Sequence, residues 1–274
     1  MTSVDTLIEA LPYIREFRGK TFVIRCAAHL TDDESKALCR DIAMLRFVGV
    51  KAVVVHPYED LGTDAGVSSG RRRANHSLVH AIGEYGKATG LAGSDGAPRW
   101  LLSLADGGDL VVNADLVLHI IDDYTPVVEA VAVGPNGEAV PADADLAAAK
   151  LAVALDAYKV LFVVGDHRVI VDESDERGEV SEMRATPDVI SLVKVDSELD
   201  GAFKAGLGAV NSGRVRFAHL IPTDLEHALL LELFTDPGYG TKIRTEDDWA
   251  QAQANEGFPE RGYWCWRTDP HDEA

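Results

Sequence analysis

Three consecutive arginines, Arg71, Arg72 and Arg73 in the run SGRRRANHS, stand out in a chain that is otherwise strongly acidic. Guanidinium groups present rigid forks of N–H donors that match carboxylates and phosphates, so this run is a local attractor for an anionic ligand. His76 and His80 follow at i, i+4 spacing, which puts both imidazoles on one helix face. Two imidazoles alone do not make a metal centre, so they are read as surface histidines and no metal site is assigned. The stretch GLAGSDG, from Gly90 to Gly96, has the glycines of a phosphate loop without its flanking signature and reads as a strand and turn. Asp122 with Asp123, and the DESDE run from Asp172 to Glu176, read as solvated turns. Cys26, Cys39 and Cys265 are odd in number and lack metal-ligand spacing, which fits a reducing compartment.

The elements that must position these residues follow from length and periodicity. A chain of 274 residues can bury a substantial core as one large α/β domain or two coupled lobes. TLIEALPYIREFRGKTFVIR reads as an amphipathic helix, a turn at Gly19-Lys20 and an apolar strand. DDESKALCRDIAMLRFVGVKAVVVH carries helical spacing from Ala37 to Phe47, a stop at Gly49 and a strand from Val50 to His56. LVLHIIDDYTPVVEAVAV and DLAAAKLAVALDAYKVLFVVG each read as a helix followed by a strand. ATGLAGSDGAPRWLLSLADGGDLVV, between them, reads as short strands or hairpins. Apolar strands alternating with helices predict a largely parallel sheet covered on both faces. The tail after residue 250 holds Trp264 and Trp266, close behind Trp249, and so is expected to pack in part against the body or a partner subunit.

Charge bounds the partners. With 45 acidic and 26 basic residues the formal charge is -19, which opposes nucleic acid and anionic lipid through the general surface field. No segment approaches the roughly 18 apolar residues of a membrane span, and the N-terminus lacks the features of a signal peptide. These readings place the protein in the cytoplasm.

Several stretches, in order over almost the whole chain, resemble the N-acetylglutamate kinases of the amino-acid kinase family. The most specific are LPYIREFRGKTFVI and HALLLELFTDPGYGTKI, the latter spanning His227 to Ile243. LRFVGVKAVVVH, ATGLAGSDG, VGPNGEAV and ADADLAAAKLAVALDAYKVL match more weakly. The resemblance implies an αβα sandwich with an open, mainly parallel sheet. It also implies an acyl-amino-acid lobe over about residues 1–150, a nucleotide lobe over about 151–250 and a tail over 251–274. Its reaction is phosphoryl transfer from Mg-ATP to a carboxylate.

That chemistry needs backbone N–H groups around the phosphates and cations on the transferred group. Ala27 and Ala28 stand where the family has one glycine pair, and Pro57 and Tyr58 where it has the other. Cβ atoms block close approach, and proline offers no N–H. The first catalytic lysine falls on Arg25. The second falls on Ala205, with Lys204 one residue early, so that only a local shift would bring Lys204 into the site. The organising aspartate is kept as Asp145, while substrate-contacting asparagines become Pro141 and Asp143. The nucleotide motif becomes Val164-Gly165-Asp166-His167-Arg168-Val169, leaving Asp166 and Arg168 as its charged members. Arg72 is the candidate for the substrate α-carboxylate. In the arginine-inhibited branch, arginine binds near the positions occupied here by His227, Glu232, Gly238 and Gly240, and an N-terminal helix joins dimers into a hexamer.

The expectation is therefore a weak or inactive kinase homologue that binds arginine or an acyl amino acid and forms a homodimer or hexamer through its N-terminal helix. Two other functions compete with it. One is a divergent active kinase using Arg25, Lys204 and Asp145 with Mg-ATP; the other is a non-catalytic partner of a metabolic enzyme.

Overall fold

The computed structural model describes residues 3–27, 30–58, 67–171, 180–191, 193–235, 238–256 and 264–266. The first half runs α1 (Ser3–Phe17), β1 (Thr21–Arg25), α2 (Asp32–Phe47), β2 (Lys51–His56), α3 (Val67–Gly83) and β3 (Ala88–Ala92). It continues through β4 (Leu102–Leu104), β5 (Leu110–Val112), α4 (Asp115–Ile120), β6 (Thr125–Glu129), β7 (Val131–Val133) and β8 (Ala139–Pro141). The second half runs α5 (Ala144–Ala154), β9 (Lys159–Val163), β10 (Ile170–Val171), β11 (Val180–Arg184), α6 (Pro187–Ile190) and β12 (Val193–Lys194). It ends with α7 (Asp200–Asn211), β13 (Phe217–Ile221), α8 (Ala228–Phe234), β14 (Thr241–Arg244), α9 (Glu246–Glu256) and β15 (Trp264–Trp266).

A nine-stranded sheet of order β15-β11-β14-β13-β9-β1-β2-β6-β3 forms the middle layer. Strands β13, β9, β1, β2, β6 and β3, the last of them an edge, pair in parallel. Every residue of β9 and of β13 is buried, as strands covered on both faces require. Val23 of β1 faces one hydrophobic cluster, shared with α5 and α7, while Phe22 and Ile24 face another, shared with α2 and α8. The molecule is thus the αβα sandwich of the expected α/β class.

Local sequence explains the element ends. Thr31 caps α2 by accepting from Glu34 N, and Glu34 returns the bond to Thr31 N, a complete capping box. Gly49 ends that helix with φ +98°, a conformation a side chain would strain. The TPVVEAVAV run, expected as one strand, is divided at Ala130. Its N–H bonds His56 O in the large sheet, and its carbonyl accepts from Ala142 beside β7 and β8. Those two strands join β5 and β4 in a separate four-stranded sheet. The tail does meet the body, because β15 adds an antiparallel edge to β11 and Trp249 is fully buried. Among the described residues no helix is long and apolar enough to cross a membrane.

Candidate phosphoryl-transfer centre and its surroundings

Strand order reverses at β1, which continues to β2 on one side and meets β9 on the other. In open α/β sheets the crevice beyond the carboxyl ends of the strands at such a point is where ligands bind. Arg25, the last residue of β1, lies there. Its Nη1 donates to the carbonyl of Val163, the last residue of β9, at 3.2 Å, and its Nε lies 2.6 Å from Asp145 Oδ1. Both of these atoms are buried and not aligned as a hydrogen bond, so charge attraction holds the contact. Asp145 sits in the first turn of α5, which Asp143 caps by accepting from Leu146 N at 3.0 Å. Burial raises the Asp145 carboxyl above its ordinary range, Arg25 opposes the rise and Asp143 adds to it. Asp143 is thereby accounted for as a helix cap that also repels negative charge.

The start of α7 closes the other side. A Cβ on Gly201 would stand 2.8 Å from Asp145 Oδ2, so the helix meets the carboxylate as close as backbone allows. Ala205, one turn on along the same row, is half-buried against the core. Lys204 belongs to the neighbouring row. Its side chain is 71% exposed and its Nζ bonds Asp200 Oδ2 at 2.6 Å. The structure therefore brings Arg25 and Asp145 together and leaves Lys204 outside, without the local shift that would place it there.

Among the described residues of the loops after β1 and β2, two backbone positions are closed to a phosphate. Cys26 N donates to Val55 O at 2.8 Å, completing the sheet, and burial pushes its thiol up to about 12. Pro57 has no N–H, and its carbonyl accepts from His56 Nδ1 at 2.9 Å. His56 is buried, and burial lowers its basicity, so the neutral ring takes a hydrogen from Asn75 Nδ2 on Nε2 at 3.0 Å. In the candidate nucleotide loop Asp166 is exposed. Arg168 is committed elsewhere: it pairs with Asp224 at 2.8 Å, donates to Tyr239 O at 3.2 Å and lies over the Tyr239 ring. Ala28 and the DESDE run lie outside the described residues. Arg71, Arg72 and Arg73 fall in the first turns of α3, where their backbone is helical and their side chains are not described. Among the described residues no group of three His, Cys, Asp or Glu could hold a metal ion.

Comparison with known proteins decides the family. No family model matches the chain. The acetylglutamate kinase of Pelobacter propionicus is 32% identical over 288 residues, covering 88% of this chain and 97% of its own. That of Halothermothrix orenii is 32% identical over 287 residues, covering 90% and 98%. The chain belongs to the acetylglutamate kinase family. Two solved structures support the amino-acid kinase fold. N-acetylglutamate synthase from Neisseria gonorrhoeae, complexed with coenzyme A and L-arginine, superposes with TM-score 0.69 at 21% identity, and this chain spans 90% of itself but 66% of the synthase. Giardia carbamate kinase gives TM-score 0.57 at 11% identity over 83% of this chain.

The resemblance implies one effector set of His227, Glu232, Gly238 and Gly240, and the structure divides them. Glu232 is buried and already engaged. It accepts from His219 Nδ1 at 2.6 Å, from Tyr239 N at 2.6 Å and from Gly240 N at 2.7 Å. Gly238 is so close that a Cβ there would lie 2.8 Å from Glu232 Oε2. Burial would raise the Glu232 carboxyl, but the hydrogen bonds from His219 and the two backbone groups outweigh it and keep the group ionised. Behind His219, Lys159 Nζ bonds Nε2 at 3.2 Å, and burial lowers Lys159 to about 7. His227 stands apart from this group. It adopts φ +64° ahead of α8 and donates from Nδ1 to Asp41 Oδ1 at 2.6 Å.

Sequence reasoning missed His219, Lys159 and Asp41. Each carried a signal, a polar residue where the period calls for an apolar one. His219 interrupts FAHLI, Lys159 opens KVLFV, and Asp41 lies on the buried stripe of α2 with Leu38, Ile42 and Leu45.

Proposed function

We propose that this protein is an acetylglutamate kinase homologue that binds a small molecule, an acyl amino acid or arginine, and transfers phosphoryl groups weakly or not at all. The observation that carries the reading is the closed Arg25–Asp145 contact with Lys204 turned to solvent and Ala205 on the facing row. Three described positions that would meet a triphosphate with Mg support this reading. Cys26 N is consumed in the sheet, Pro57 has no N–H and Arg168 is locked to Asp224. Loss of one transition-state donor costs roughly 10²–10³-fold in rate, and losses within one catalytic unit do not simply add.

The kinase relatives make the competing reading, a divergent ATP-dependent enzyme acting on a carboxylate, the one to test. Arg25 and Asp145 remain side by side at the switch point, and that observation favours it. The assay is hydroxylamine trapping of acyl phosphate with Mg-ATP and N-acetylglutamate. No hydroxamate is expected above background. Hydroxamate at an ordinary turnover rate, abolished in Arg25→Ala, overturns the proposal. Isothermal calorimetry with arginine, N-acetylglutamate, Mg-ADP and Mg-ATP then identifies the ligand class, because a ligand of the folded state stabilises it by mass action. Binding of an amino-acid ligand without nucleotide is the expected pattern. We further propose self-association through α1, whose Ile8 and Leu11 stay 60% and 48% exposed.

A further inference from the structure

A cavity of about 540 Å³ opens where the small sheet meets the rest of the molecule, from the turn holding Pro98 and Trp100 across β5 and α4 to Ala154 of α5 and Arg214 before β13. From Asp145 to Ala154 α5 rises about 14 Å, so the cavity is separate from the Arg25–Asp145 contact. Its volume lies within the size range of small-molecule sites, which combine an apolar lining with a few placed polar groups. The walls are set in advance. Asn113 Nδ2 donates to Arg99 O at 2.9 Å, and its Oδ1 accepts from Asp115 N at 3.1 Å. Lys150 Nζ seats β5 on α5 by donating to Leu110 O at 2.6 Å.

The chemistry of the lining is unmatched. Val111 and Leu118 are exposed, and the half-buried Trp100 has no ring or cation against its indole face among the described residues. The Trp100 indole N–H and the Ser103 hydroxyl make no hydrogen bond with any described residue. Arg214 commits Nε and Nη2 to the two oxygens of Asp156 at 2.6 and 2.8 Å, which fixes the guanidinium and leaves Nη1 free. Asp115, the carboxylate of the lining, is taken by Arg99 at 2.8 Å. The open polar groups can therefore all donate, and they stand beside an exposed apolar wall in a chain whose formal charge is -19. Local donors of this kind favour an anion, and the wall favours one with a flat apolar body.

We propose that this cavity binds an aromatic carboxylate, whose ring covers Trp100 and the wall of Val111 and Leu118 and whose carboxylate takes the free N–H of Arg214. The site is independent of phosphoryl transfer. Its test needs no nucleotide and can fail while the kinase-loss reading stands, or the reverse.

The experiment is calorimetry on the full chain with 2-naphthoate, against 2-naphthylmethanol as the neutral control and 2-naphthylmethylamine as the cationic one. Naphthoate is expected to bind roughly 10-fold or more tightly than either control, the scale of one hydrogen bond to a charged group. Arg214→Gln removes a charge at the surface, and Trp100→Leu removes the ring. Each is expected to weaken naphthoate binding by roughly 10-fold or more. An excess of N-acetylglutamate is expected not to compete. Circular dichroism of the unliganded variants checks that they fold. Failure of naphthoate to bind, binding of either control as strong as naphthoate, competition by N-acetylglutamate, or affinity unchanged in folded Arg214→Gln overturns the proposal.

Discussion

Asp41 shows how one buried side chain couples packing to charge. Burial raises its carboxyl to about 6, and the hydrogen bond from His227 only partly offsets that rise. A carboxyl raised in the folded state favours folding most when it is protonated, below its unfolded value near 4, and this advantage is lost as pH rises through about 6. Asp41→Asn carries no such charge. Its stability relative to the parent, measured by urea unfolding, is expected to improve by on the order of 3 kcal/mol between about pH 4 and about pH 8. A difference that stays constant with pH would show that Asp41 is not the titrating group. Lys159 obeys the opposite sign. Burial lowers it to about 7, so it penalises the fold while charged and the penalty fades as pH rises toward its unfolded range. Both residues were visible in the sequence as polar breaks in an apolar pattern. Their consequences were not, since they depend on His227 and His219 arriving from distant segments.

Helix periodicity decides what α7 can contribute. Residues 201 and 205 share one row and residues 200 and 204 the next, so a lysine one position early points about 100° away from the row that faces Asp145. Lys204 accordingly makes a surface pair with Asp200, the kind of i, i+4 contact whose stabilisation is small. An ammonium on the row that faces Asp145 should matter, and the one at Lys204 should not. Arg25→Lys with Ala205→Lys is expected to raise hydroxamate formation to roughly 10-fold or more over the background signal, as a restored transition-state donor would. Lys204→Ala is expected to change nothing. Equal rates for all three proteins would mean that the loops with Pro57 and Cys26, rather than the lysine positions, set the limit.

At the scale of the molecule, the buried chain His219–Glu232–Tyr239 meets the Arg168–Asp224 clamp at Tyr239, whose N–H bonds Glu232 and whose carbonyl accepts from Arg168. The loop after β9, the loop after β13 and the turn before β14 are thereby tied together. The HALLLELFTDPGYGTKI segment supplies Glu232 and Tyr239 to this network and so braces the strand ends it borders. The proposed self-association is a separate matter, and it rests on the exposed Ile8 and Leu11 of α1. Light scattering is expected to find an assembly larger than one chain, and Ile8→Glu with Leu11→Glu is expected to reduce its mass. An unchanged mass would place any interface elsewhere.

Sequence by itself determined the layer order, because near-continuous apolar strands between amphipathic helices have no other way to cover both faces of a sheet. It also determined the family, through segments in a fixed order. Tertiary structure alone decided which residues meet. Arg25 and Asp145 are 120 positions apart in sequence and touch at the strand ends, while Lys204, three residues from the Gly201 that meets Asp145, points to solvent. His227 and Glu232 are five apart and occupy different surroundings, one at a cavity and one sealed behind a turn. Contact between side chains depends on the direction each backbone element gives them and on what reaches them from elsewhere in the chain. Spacing along the sequence supplies the first only within one element and the second not at all.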